Sequence, residues 1–179
     1  KSWKERMSYL KEFPNYQVSI YKIRSLIQTE NNELEDLAFH VLRSNMKADQ
    51  KVRTSKLIDL FFPDKESPGA RYAELLKNNE EDICKYNELL NDENITPTIT
   101  KRVKNSIGKL YLSKSKSLDE LKSSLENLQA AGNENDLIAD VLTLLAFLTK
   151  EEVYALSAAD AHSISITMSE KRSLLCTNQ

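Results

Sequence analysis

The sequence is poor in the residues that interrupt regular secondary structure, with three glycines and four prolines among 179 residues. All-β folds need a turn after every short strand, so turn signals recur about every 8–12 residues. So few glycines and prolines argue against a β-sandwich or a β-barrel. They are typical of helices that are joined by short connections.

Cysteine and histidine are equally rare, with two of each. Cys84 and Cys176 are far apart and lack metal-ligand spacing, and nothing in the sequence supports a disulfide between them. His40 follows Asp36 by four residues, which is one helical turn, but a zinc-type site needs three or four ligands. We therefore predict no metal site, and an exposed helix histidine is the interpretation favoured for His40.

No catalytic motif accompanies these residues. The glycines Gly69, Gly108 and Gly132 stand apart, so none of them belongs to a glycine-rich loop that cradles phosphate groups. Asp and Glu number 27, but they fall on the polar faces of the predicted helices. We predict a protein that is not an enzyme and that uses no cofactor, with a helical enzyme of unrecognised type as the second alternative.

The chain contains no run of about 18 apolar residues, the length that suggests a membrane-spanning helix. Its first ten residues are charged and amphipathic, unlike a signal peptide. The formal net charge is −2, so overall electrostatics do not indicate nucleic acid or membrane as a partner. Together with the rare cysteines, these features predict a cytoplasmic or otherwise intracellular protein.

What the sequence does contain is helical periodicity along most of its length. Residues 34–42 place apolar side chains at i, i+3, i+4, i+7 and i+8, which is the spacing of one helix face. Helix starts are marked by Ser-x-x-Glu boxes or by proline at the first helical position, and helix ends by proline or glycine. This pattern predicts about ten helices and no strand.

The predicted fold class is all-α, a compact multi-helix bundle of about 8–10 helices. We place a single helical domain over 1–162, with a sub-boundary near 63–68, and an extended or frayed tail over 163–179. When the helices are taken in pairs, the pairs begin at intervals of roughly 30–38 residues, which makes a short helical-hairpin repeat array the alternative. The segment 135–149 is apolar around most of its circumference, which predicts the central, buried helix of the bundle.

One segment has an unusual charge: 95–117 carries six basic residues and no acidic residue. At about 100° per residue, its apolar residues gather on one side and its basic residues fall on the opposite arc. Such a cationic face could contact an acidic protein, phosphate groups or a lipid surface. The basic residues are Lys101, Arg102, Lys104 and Lys109, followed by Lys114 and Lys116.

The acidic segment 80–93 offers an internal counterpart to this basic face. If the two helices pack antiparallel, acid meets base within the protein, and the basic face is an ordinary solvated or paired surface. Surface ion pairs contribute only about 0–1 kcal/mol each, but they would cancel the long-range field that nucleic-acid binding needs. Tyr111 is the only aromatic residue of the basic segment, so it offers no stacking platform for bases.

Phe61 and Phe62 follow Leu60 at the end of a predicted helix, and three consecutive apolar residues cannot all face one core on a helix. Burial against a neighbouring helix is the favoured interpretation for each ring, whereas an exposed ring, the other hypothesis, would mark a protein interface. We predict a protein–protein interaction module, an adaptor or regulator, that binds an acidic protein surface through the basic face and these rings. A nucleic-acid-binding domain that uses the same basic face is the alternative, and the oligomeric state is not predicted.

Overall fold

In the computed structural model, the residues described are 31–132 and 135–163. They form eight helices and no strand, which confirms the predicted all-α class and multi-helix bundle. In chain order the helices are α1 (Asn31–Lys47), α2 (Lys51–Phe61), α3 (Pro68–Lys77), α4 (Ile83–Leu90), α5 (Pro97–Lys114), α6 (Leu118–Ala131), α7 (Asn135–Thr149) and α8 (152–163). The helices predicted before Asn31, and the predicted tail beyond Ser163, lie outside the described residues.

Local capping signals begin and end several helices where the sequence predicts it. The side chain of Ser67 accepts a hydrogen bond from the backbone N–H of Ala70 in the first turn of α3, and Pro68 occupies the first helical position. Ser117 caps α6 in the same way. Gly132 ends α6 in the left-handed region, at φ 78°. These helix ends therefore follow from residues that are close together in the chain.

The chain divides into two compact units, and the boundary between Thr100 and Lys101 falls inside α5. The segment 63–68, where a sub-boundary is predicted, belongs to the first unit, and that sub-boundary stays a prediction. Phe62, at the start of this connection, packs its ring on Phe39 at a centroid distance of 5.2 Å. The connection is thus tied to the core at its first residue, and the single domain predicted from the sequence stays a prediction.

The core of the first unit is aromatic. The rings of Phe39 and Tyr72 have centroids 5.3 Å apart, and Tyr72 meets Tyr86 edge-on at 6.3 Å. With Phe62 these residues form an aromatic row, which joins α1, the end of α2, α3 and α4. Aromatic pairs of this kind contribute about 0.5–1.5 kcal/mol each beyond the burial of their area.

The aromatic row ends on a hydroxyl group that has a partner. The hydroxyl of Tyr86 donates a hydrogen bond of 2.8 Å to the carbonyl of Glu80. Burial, with smaller effects of Tyr72 and Glu80, raises the pKa of Tyr86 to about 12. The Glu80 carboxylate pairs with Lys85, whose hydrogen bond lowers the pKa of Glu80. The start of α4 is therefore held to the preceding loop by both neutral and charged contacts.

The core of the second unit is aliphatic and built around α6 and α7. One cluster, formed by residues of these two helices, contains Leu121, Leu128, Val141 and Leu145. A second cluster joins α7 to α8 and consists of one leucine and three alanines: Leu142, Ala139, Ala158 and Ala161. Because α7 has α6 and α8 as its neighbours in these clusters, two of its sides are covered.

Helix α5 crosses α6 at very short range. A Cβ atom added to Gly108 would lie 2.6 Å from Cγ of Leu128 and 3.2 Å from its backbone nitrogen. The hydroxyl of Ser124 donates a hydrogen bond of 2.7 Å to the carbonyl of Gly108. A glycine inside a helix often marks such a close approach, so Gly108 defines where the two helices meet.

The prediction that α7 is a central, buried helix is wrong. Val141 and Leu145 are fully buried, but Phe147 is 79% exposed, Leu148 57% and Leu144 44%. The helix is apolar around most of its circumference, as the sequence shows. However, the described neighbours α6 and α8 cover only two of its sides, so its third side faces solvent.

Candidate interaction surfaces

The basic residues predicted as a binding face lie on α5 and directly after it, in the second unit. Lys101, Lys114 and Lys116 are exposed, whereas Arg102, Lys104 and Lys109 are half-buried. At about 100° per residue, Gly108 falls on the same arc as Lys101 and Lys104. Leu128 of α6 packs on Gly108, so α6 approaches α5 on the arc that carries Lys101 and Lys104, and binding by the basic residues stays a prediction.

Two acidic residues of the segment 80–93 form ion pairs with basic residues of the first unit. A carboxylate oxygen of Asp92 lies 3.3 Å from the guanidinium group of Arg71. Glu80 pairs with Lys85, one turn further along the chain. These two carboxylates are thus matched by cations of their own unit, and pairing of the whole acidic segment with the basic residues of α5 stays a prediction.

The prediction of exposed rings at Phe61 and Phe62 is wrong, because these residues are 0% and 6% exposed. Helix α2 ends at Phe61, and Phe62 has φ −126° and ψ 76°, outside the helical region. Consecutive side chains are then not held about 100° apart as in a helix, and both can turn inward. Burial against neighbouring residues, the interpretation favoured for each ring, is what the structure shows.

The first unit carries a groove of about 240 Å³. Its apolar lining includes Phe61, Phe62, Pro68 and Ile99, and its polar lining includes Glu35, Asp64 and Thr96. The hydroxyl of Thr96 donates a hydrogen bond to the Glu35 carboxylate, which links the start of α5 to α1 beside the groove. Ligand pockets typically measure about 300–1,000 Å³, and the volume of this groove falls slightly below that range.

Exposed apolar side chains are concentrated in the second unit, around the connection between α7 and α8. Of the seven large apolar side chains exposed in the described residues, five lie within 144–156. On α7, Leu144, Phe147 and Leu148 fall within an arc of about 100°. We call these three residues the α7 apolar face. On α8, Val153 and Leu156 are 60% and 61% exposed.

Acidic residues flank the α7 apolar face. Asp136 and Asp140 precede Leu144 and Leu148 at intervals of four residues, so the four side chains form one row along the helix. All four are exposed. Glu151 and Glu152 are also exposed and follow the helix, and the segment 135–163 contains five acidic residues and a single basic one, Lys150.

The α7 apolar face was not predicted from the sequence. Ten of the fifteen residues of α7 are apolar, and such a composition favours complete burial. A signal was nevertheless present: Asp136 and Asp140 stand on the same row as Leu144 and Leu148. Two acidic residues on one row indicate that this row faces water, and the leucines that continue the row share that environment.

The titratable residues considered for chemistry are dispersed. His40 and Asp36 are both exposed on α1, as favoured from the sequence, and His162 is exposed on α8. Cys84 is an exposed free thiol, and Cys176 lies outside the described residues. Within the described ranges, no three His, Cys, Asp or Glu residues come together in a group that could hold a metal ion.

Comparison with protein-family models, with curated proteins and with solved structures finds no match for this chain. In the part of the chain that the structure describes, no helix combines the length and the apolar content needed to cross a membrane. Function is therefore inferred from the surfaces of the molecule alone.

Proposed function

We propose that this chain is a non-enzymatic protein–protein interaction module, an adaptor or regulator, whose main contact surface is the α7 apolar face. The supporting observation is that Phe147, 79% exposed, lies beside two exposed leucines on one side of a helix. Full burial of such a side chain stabilises by about 1.5–3 kcal/mol. Clustered exposed apolar side chains mark interaction sites, and a partner that covers these three gains this free energy on binding.

The class of function is the one predicted from the sequence, but the main surface is a different one. The basic residues of α5, with Lys116 directly after it, act as a second surface, directed to a partner with an acidic surface. Lys101, Lys114 and Lys116 are its exposed members. Charges in such positions speed association and orient the partner more than they raise affinity.

Nucleic-acid binding through the same basic residues is the alternative function. Each phosphate contact on duplex DNA adds a slope of about −0.9 to the dependence of log K on log salt. Three exposed lysines would therefore produce a slope of about −2.7. Binding through the apolar side chains of α7 predicts a much smaller slope, so the two functions separate in a salt titration.

The test is an affinity capture from the host's extract with the tagged full chain, with and without nuclease. Phe147→Asp breaks the α7 apolar face, and Val52→Asp is its matched control, since Val52 is a 73% exposed apolar residue on α2. We expect proteins that survive nuclease, that fall at least about tenfold with Phe147→Asp, and that stay with Val52→Asp. Circular dichroism of both variants tests whether they remain folded, and a folded spectrum is the expected result.

A third variant, with Lys101, Lys114 and Lys116 all changed to Glu, separates the two surfaces. Loss of captured proteins with this variant and not with Phe147→Asp would show that the basic residues form the main surface. If nuclease empties the capture, the chain binds nucleic acid and the proposed function is wrong.

A further inference from the structure

We infer that the α7 apolar face, together with the acidic residues on its row, binds a basic amphipathic helix of a partner protein. This inference rests on the proposed function and adds the class of partner. Recognition of an amphipathic helix reads apolar anchors at i, i+3, i+4 or i+7. Leu144, Phe147 and Leu148 present apolar side chains at the matching spacing on a helix that is already formed.

The dimensions of the row define the partner. From Asp136 to Leu148 it covers twelve steps along α7, or about 18 Å at a rise of about 1.5 Å per residue. A partner helix of about 12–15 residues covers this length. Its apolar residues would lie over Leu144 and Leu148, and its Lys or Arg residues one to two turns away, over Asp140 and Asp136.

Charge separates this partner from a membrane surface. Helices that lie on membranes carry Lys and Arg around their apolar face, because the cytoplasmic lipid surface is negative. Here the charged residues around the apolar face are three acids, Asp140, Glu151 and Glu152, against one cation, Lys150, and all four are exposed. An anionic lipid surface would be repelled, whereas Lys and Arg of a protein helix would be attracted.

The order of charges along α7 also separates this partner from a second copy of the chain that covers the whole row. If two α7 helices paired antiparallel along the full row, with the two-fold axis at its midpoint, the acidic half of one would lie over the apolar half of the other. Asp140 would then lose water next to Leu144 or Leu148 without gaining a cation, which is unfavourable. A basic amphipathic helix avoids this cost because it places a cation at that point.

The first experiment measures the binding of three labelled 15-residue peptides to the full chain by fluorescence anisotropy. One is an amphipathic helix of Leu and Lys. The second has the same composition in an order that breaks the apolar stripe, and the third replaces every Lys by Glu. We expect the first peptide to bind at least about tenfold more tightly than either control.

Variants of the chain assign this binding to the row. Phe147→Asp should weaken the Leu and Lys peptide at least about tenfold, and Val52→Asp should not. Asp140→Lys should weaken it about threefold and improve the Leu and Glu peptide by a similar factor. This inversion requires direct contact with the charge, and a variant that merely unfolds the chain would weaken both peptides.

Three results would overturn the inference. If all three peptides bind alike, or if Asp140→Lys does not reverse the preference between the Lys and Glu peptides, the partner is not a basic helix. In that case the capture experiment decides the proposed function. The proposed function stands if Phe147→Asp still removes captured proteins, and it fails if Phe147→Asp removes none. Sedimentation that shows dimers in the wild type and monomers in Phe147→Asp would make a second copy the occupant. A tenfold gain in peptide affinity on changing Leu174 and Leu175 to Ser would make the chain's own carboxy-terminal segment the occupant.

Discussion

The first unit buries its aromatic residues in a row through four helices, whereas the second unit leaves Phe147 exposed on the outside of α7. Among the described residues of the first unit, Val52 is the single large apolar side chain that is exposed, and the second unit exposes six. The difference does not come from apolar content, since α7 is apolar at ten of fifteen positions. It comes from how many helices surround each element.

This comparison shows that burial is a property of neighbours as much as of residue type. Phe39 lies on α1, where rings from α3 and from the end of α2 pack against it. Phe147 lies on the side of α7 that neither α6 nor α8 covers. One residue type thus stabilises the fold in the first unit and remains available for binding in the second.

The largest expected effect comes from breaking the aromatic row. Phe39→Ala should lower the free energy of unfolding by about 3–5 kcal/mol, because Phe39 is fully buried and contacts two other rings. Urea denaturation followed by circular dichroism measures this change. A loss below about 1 kcal/mol would mean that the row does not hold the first unit together.

A smaller loss is expected where α5 crosses α6. Overpacking costs about 1–3 kcal/mol, and the higher helix propensity of alanine offsets about 1 kcal/mol of this cost. Gly108→Ala should therefore lower the free energy of unfolding by up to about 2 kcal/mol. The added methyl group would meet both the side chain and the backbone of Leu128. Urea denaturation of Gly108→Ala tests this expectation. Ala130→Gly, at an exposed position of α6, is the control that reports the helix preference without a close contact. If Gly108→Ala were more stable than the wild type, the two helices would have to lie further apart than the structure shows.

The hydroxyl of Tyr86 makes the first unit sensitive to high pH. Its folded pKa, about 12, lies above the unfolded value of about 10. Between these two pKa values the folded state keeps the phenol proton and the unfolded state loses it. The protonated, buried Tyr86 therefore contributes its full stabilisation below about pH 10, and this contribution is lost as the pH rises towards about 12. Tyr86→Phe should show a shallower decline in urea midpoint over this range. Identical declines in the two proteins would contradict the buried environment of Tyr86.

The smallest expected effect is at Phe147. Phe147→Ala should change the free energy of unfolding by no more than about 0.5 kcal/mol, because the side chain is 79% exposed. Paired with Phe39→Ala, this variant tests the contrast between the units with the same substitution. A loss of several kcal/mol would show that Phe147 is covered within the chain and would remove the α7 apolar face as a binding surface.

Several helix ends could be predicted from the sequence alone. Ser67 with Pro68, Ser117 and Gly132 mark helix ends that the structure reproduces. Their signals act over three or four residues, and nothing distant is needed to satisfy them. The predicted all-α class follows from the same local information.

The surfaces were less predictable. The rings of Phe61 and Phe62 are both buried because α2 ends between them, and a helix-based argument could not place both inward. Gly108 lies among the basic residues, and its lack of a side chain was the sign that another helix crosses there. That sign did not say which helix, since the partner atom belongs to Leu128, twenty residues later.

By itself, the sequence determined which of the described segments are helical, where several of them begin and end, and which residues of each helix are apolar. These properties depend on backbone hydrogen bonds and on side-chain periodicity within a few residues. Only the tertiary structure decided which apolar side chains are covered by a neighbouring helix. It covers the ring of Phe39 and leaves the ring of Phe147 exposed. The apolar side of a helix is buried only where another helix packs on it, and that packing is settled by contacts between residues far apart in the chain.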